Sequence, residues 1–105
     1  MSLCPSSSHG LLPIYMSLLN HGKVVTPTGV SDTHHRIPEA GAARTYVRIP
    51  GVAGGGALTA EAFVTAMLAH RTVVSNGPFL DVTLGGTAAP GDVLATPAGE
   101  VTLHI

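Results

Sequence analysis

Apolar and polar positions recur with helical or strand periods along the chain, and each run predicts an element. Leu11 to Asn20 is apolar on most faces, with Pro13 in a tolerable first-turn position and Gly22 just past the end, which predicts a short, largely buried helix. Lys23 to Val30 carries Val24, Val25 and Val30 among Thr and Gly and predicts a strand. Pro27 removes one ladder donor and assigns it to an edge or bulge. Ser31 to Ala43, with Pro38 and Gly41, reads as a loop, and Thr45 to Ile49 as a second strand closed by Pro50. Gly51 to Gly56 is flexible.

Thr59 to His70 has the clearest helical period, with Phe63, Val64, Met67 and Leu68 on one face. If that face is core, Phe63→Ala should cost about 3 to 5 kcal/mol. Thr72 to Ser75, Phe79 to Leu84 and Val101 to Ile105 read as strands separated by Asn76-Gly77-Pro78, by Gly85-Gly86 and by a Pro/Gly-rich loop. The last pattern runs to the final residue without a stop signal, so the expectation is a chain that ends inside a domain. Residues 1–10 read as a flexible opening, of which Met1, Ser2 and Leu3 are taken as a vector remnant outside the fold.

Composition narrows the classes. The 105 residues suit one domain burying roughly 60 to 70% of its extended-chain surface. Only 10% are charged while 45% are hydrophobic, so part of the surface expects a partner, either the remainder of a larger parent chain or further copies in a homo-oligomer. Five Lys plus Arg and a net charge of -1 argue against nucleic acid as a partner. The greasiest stretch, Leu11 to Leu19, is broken by Pro13 and Ser17 and is too short to span a membrane. The single cysteine, Cys4, allows no internal disulfide, which fits a cytoplasmic protein.

The chemistry concentrates in Ser31-Asp32-Thr33-His34-His35, directly after the strand ending at Val30, where alpha/beta folds often place ligand-binding residues. In extended backbone Asp32 and His34 point the same way, so a carboxylate oxygen and an imidazole nitrogen can converge on zinc, manganese or iron. Taken alone, an Asp-x-His triplet is more often a turn-capping Asp beside an incidental His. His35 is a candidate for substrate contact or support of the site, though an adjacent second His is more often a plain loop residue. His9, His21, His70 and His104 stand alone and are assigned no role, and Gly54-Gly55-Gly56 lacks the strand-to-helix context of a nucleotide loop.

Leu18-Leu19-Asn20-His21-Gly22 leading into Thr28-Gly29-Val30-Ser31-Asp32-Thr33-His34 resembles the last metal motif of PHP-domain proteins, the polymerase and histidinol phosphatase group, and most of all its CehA/McbA-like hydrolase branch. The string continues as in that branch with Gly41, the segment Arg44-Thr45-Tyr46-Val47, a helix ending at Arg71, and Val74-Ser75-Asn76-Gly77-Pro78-Phe79. The resemblance covers roughly residues 14 to 94. It implies a metal-dependent hydrolase of small phosphoester or related ester substrates, with Asp32 and His34 as the final pair of metal ligands. It also keeps Arg44 as a contact for an anionic substrate, against an equally weighted structural bond to loop carbonyls. Asn76 stands as a rim residue of the pocket, against the favoured reading of an ordinary turn.

The family's opening His-x-His pair is absent, and two ligands are fewer than the three that catalytic zinc sites retain. The expectation is therefore weak or absent metal binding and no activity in this chain alone. The fold expected is mixed α/β: residues 11–75 as the closing strand-helix units of an incomplete PHP-type β/α barrel, and 76–105 as a tail of β-hairpins in the same domain. The rival reading is a non-catalytic, β-rich interaction or structural module in which Asp32 caps a loop and His34 is incidental.

Overall fold

The computed structural model describes residues 11–33, 41–52, 54–95 and 99–105. It is a small mixed α/β domain. Helix α1 spans Leu12–Asn20, strand β1 Arg44–Val47, helix α2 Ala60–Leu68 and strand β2 Thr72–Ser75; strands β3 (Thr83–Leu84) and β4 (Leu103–His104) follow. β1 and β2 pair antiparallel in the register Arg44↔Ser75 to Val47↔Thr72, and β3 and β4 pair antiparallel as Thr83↔His104 and Leu84↔Leu103. The described residues contain no closed barrel: each sheet has two strands, and α2 connects strands that run in opposite directions.

Both helices end in the same hydrogen-bond pattern, in which the first residue beyond the cap takes a left-handed conformation. After α1, Gly22 N donates to Leu19 O at 2.9 Å and Lys23 N to Leu18 O at 2.9 Å, with Gly22 at φ +71. After α2, His70 N donates to Met67 O at 3.1 Å and Arg71 N to Ala66 O at 3.1 Å, with His70 itself at φ +57. The start of α2 is capped by Thr59, whose hydroxyl accepts from Ala62 N at 3.1 Å. Pro13 occupies the first turn of α1, where its missing N–H costs nothing.

Lys23 to Val30 is not a regular strand, and Pro27 supplies the reason by breaking the ladder. The segment is instead a strap held by threonine side chains. Thr26 Oγ1 donates to Met67 O (2.9 Å), Thr72 Oγ1 donates to Pro27 O (3.2 Å), and Thr45 Oγ1 accepts from Gly29 N (2.8 Å) while donating to Gly29 O (3.1 Å). Gly29 is pressed so close to the sheet that a Cβ there would lie 2.7 Å from Val74 Cγ1 and 3.0 Å from the Arg44 carbonyl oxygen.

The helix faces differ from what periodicity predicts. α2 buries Ala66, which is 1% exposed, and half-buries Ala62 and Ala69, while Phe63 is 44% exposed and Val64 and Leu68 are exposed as well. α2 contacts β1, Ala62 and Ala66 share a cleft with Ile49 and Pro50, and of the bulky face Phe63, Val64 and Leu68 are left to solvent while Met67 is half-buried. α1 likewise has no buried residue, against the expectation of a largely buried helix. The described core consists of Ala43, Ala66, Ala89, Thr72 and Gly29. The accessible surface is 7760 Å², against about 5,500 Å² for a compact monomer of this mass. The radius of gyration is 15.5 Å, against about 13 Å for a compact domain of this length.

Gly29→Ala should therefore destabilise the chain by about 1 to 3 kcal/mol, because the strap must lift off the sheet to admit the methyl group. Phe63→Ala should cost about 1 kcal/mol or less, a surface-like value. Urea melts of the two variants beside the parent measure both, and a larger loss for Phe63→Ala than for Gly29→Ala would contradict the packing described.

Candidate functional site at the Arg44 end of the sheet

Asp32 lies just beyond the clamped end of the strap. Its backbone is left-handed, at φ +49, and its side chain is exposed. Aspartate tolerates this region better than most residues because its short polar side chain can bond locally, yet a non-glycine residue there remains uncommon. Next to it Thr33 Oγ1 donates to Ser31 Oγ at 2.9 Å, so the hydroxyls on either side are engaged with each other. His34 and His35 lie outside the described residues.

Arg44 opens β1 opposite Ser75 and donates from Nε to Gly41 O at 2.7 Å. The structural bond weighed against a substrate contact is thus formed. Asn76 follows Ser75 into the turn at the same end of the sheet. That turn is held by its neighbours: Gly77 N donates to Ser75 Oγ (3.1 Å) and Tyr46 OH donates to Gly77 O (2.8 Å). The Tyr46 and Phe79 rings meet edge to face with centroids 5.2 Å apart. The reading of Asn76-Gly77-Pro78 as turn chemistry matches this geometry.

The register brings Arg44 and Asn76 to one end of the β1–β2 sheet, and the Thr45–Gly29 clamp brings the strap to that end three residues before Asp32. No family model, no curated protein and no solved structure matches the chain. Among the described residues no three His, Cys, Asp or Glu side chains form a group able to hold a metal ion. Asp32 brings one carboxylate, so the described residues do not fit a metal centre by themselves. Also among the described residues, no helix is long and apolar enough to cross a membrane.

Other clefts flank the sheet. One of about 240 Å³ is lined by Tyr46, Arg48, Val73, Phe79 and Asp81, and a second, of about 480 Å³, includes His70, a residue to which sequence reasoning gave no role. Its signal was a histidine at a helix C-terminus where glycine is the usual occupant, and that becomes visible only once the end of α2 is known.

Tyr46→Phe should cost about 1 kcal/mol through loss of the bond to Gly77 O, the usual net worth of such a bond. The amide of Gly77 should also exchange faster with deuterium, since its turn is released. Unchanged exchange at Gly77 would mean that the hydroxyl does not hold the turn.

Proposed function

We propose that this chain contributes Asp32 and His34 as the last metal-ligand pair of a divalent-metal hydrolase of phosphoester or related ester bonds, PHP-like in fold, in a site completed by further ligands. The observation that carries the reading is the backbone of Asp32, left-handed at φ +49 in an exposed loop anchored to the sheet by the Thr45–Gly29 clamp. Backbone held away from its preferred region clusters where side-chain direction matters to function. Arg44, at the nearby end of the sheet, carries a guanidinium whose charge and fork geometry suit an anionic ester. Zinc, manganese and iron all accept an oxygen and nitrogen ligand set.

The test uses the protein together with whatever ligand-bearing sequence accompanies it. Asp32→Ala and His34→Ala should each remove bound metal by elemental analysis and abolish turnover of a generic phosphoester, while the melting temperature of the 105-residue chain barely moves. Full metal and full turnover after both substitutions would end the assignment.

The exposed apolar surface supports a partner in either reading of the chain, hydrolase segment or β-rich interaction module. Phe63, Val64 and Leu68 on α2 and Leu12, Ile14 and Met16 on α1 are all open to solvent. Large contiguous apolar surface is normally covered, here by the rest of a parent protein or by another copy. The isolated chain should sediment as a dimer or larger species at tens of micromolar, roughly where weak association energies act. Leu68→Glu should shift it towards monomer, and a clean monomer of the unsubstituted chain would remove self-association from the proposal.

A further inference from the structure

The chain carries two asparagines and no glutamine, and its two side-chain amides have opposite surroundings. Asn20 ends α1 and is followed by His21, whose backbone N–H is held by Ser17 O and Leu18 O, both at 3.1 Å. The His21 side chain also crowds that nitrogen. Asn76 is exposed in the turn after β2 and is followed by Gly77, which has no side chain. Gly77 sits at φ +157, a conformation that favours glycine, and a Cβ there would meet nothing within 4 Å.

The Gly77 nitrogen and the side-chain carbonyl carbon of Asn76 belong to adjacent residues, so a ring can close between them by bond rotation alone. The fold supplies restraint. Gly77 N donates to Ser75 Oγ at 3.1 Å, and Gly77 O accepts from Tyr46 OH at 2.8 Å. The Tyr46 ring is seated in turn against Phe79, with centroids 5.2 Å apart. One bond keeps the proton on the nitrogen that must attack, and the other holds the carbonyl of the same residue. Ring closure therefore waits for a local opening of the turn.

We propose that Asn76 is a site of spontaneous deamidation, through a succinimide whose formation is gated by the bonds from Ser75 and Tyr46 to Gly77. Hydroxide takes the Gly77 N–H proton, and the nitrogen attacks Asn76 Cγ. The N–Cγ bond forms, the Cγ–Nδ2 bond breaks, and Nδ2 leaves with a proton as ammonia. Water then opens the ring at Cγ to give aspartate, or at the main-chain carbonyl carbon to give isoaspartate. The sum is one water consumed and one ammonia released, with no change of oxidation state. Either product brings a negative charge to the end of the sheet where Arg44 pairs with Ser75. Isoaspartate also lengthens the backbone by one methylene and so displaces Gly77 from Tyr46. The inference rests on no part of the hydrolase reading.

The test incubates the full chain in mildly alkaline buffer, once folded and once unfolded in urea. Mass spectrometry follows the tryptic peptide from Thr72 to Ile105, and isoaspartyl methylation gives a second readout. The folded chain should convert Asn76 before Asn20, and more slowly than the unfolded chain by roughly 5- to 30-fold, the span of one to two ordinary hydrogen bonds. Ser75→Ala and Tyr46→Phe should each speed the folded chain by about fivefold. Asn76→Gln, which must close a larger ring, should give no isoaspartate over the same period. Should Tyr46→Phe fail to fold, Ser75→Ala carries the test. The proposal is overturned by conversion of Asn20 ahead of Asn76, by equal rates in the folded and unfolded chain, or by no isoaspartate in the folded chain once the unfolded one has converted. An unchanged rate in Ser75→Ala or in a folded Tyr46→Phe would overturn it as well.

Discussion

Threonine hydroxyls hold this fold where a β-ladder would otherwise run. Pro27 denies the strap a regular strand, and the side chains of Thr26, Thr45 and Thr72 tie it to its neighbours through backbone carbonyl and amide groups. Each such bond is worth only about 1 kcal/mol net, but leaving the groups unmade would cost more. The Thr45 hydroxyl both accepts from and donates to Gly29. That double bond of contacts works only because Gly29 has no side chain to hold the backbones apart.

The strap gives the small sheet two distinct ends. Its start, at Thr26 and Pro27, is tied to His70 and Thr72 beside the cleft of about 480 Å³, and its finish, at Gly29, is tied to Thr45 beside Arg44. The four-residue strands are short, and the end pairs Arg44↔Ser75 and Val47↔Thr72 lie roughly 10 Å apart at ordinary strand rise. The candidate metal-ligand loop and the cleft are therefore served by one continuous piece of backbone, each through a different threonine.

Packing on α2 follows from the same economy of space. Ala62, Ala66 and Ala69 present almost no side chain, so the helix can approach β1, and Ala66 becomes the most buried residue of the core. Phe63, Val64 and Leu68 are left exposed, and Met67 half-buried. A core made of alanine, threonine and glycine removes little apolar area from water, which explains why so much hydrophobic surface stays exposed and why a covering partner suits this chain.

Local chemistry determined what the sequence could reveal unaided. The positions of both helices, the stop at Gly22, the strand at Thr72 to Ser75 and the turn at Asn76-Gly77-Pro78 each depend on a few neighbouring residues, and each is legible in them. Asp32 could be singled out for its neighbours, and Arg44 could be given its two alternatives. What the sequence did not contain was which face of each helix would be covered, because Phe63 and Ala66 are equally periodic and only the approach of β1 selects the small one. Nor did it contain the antiparallel pairing of β1 with β2, the replacement of a strand by a side-chain strap, or the meeting of His70 with Thr26. Those join residues up to 45 positions apart, and contacts at such separation are decided by how the elements pack, not by local preference.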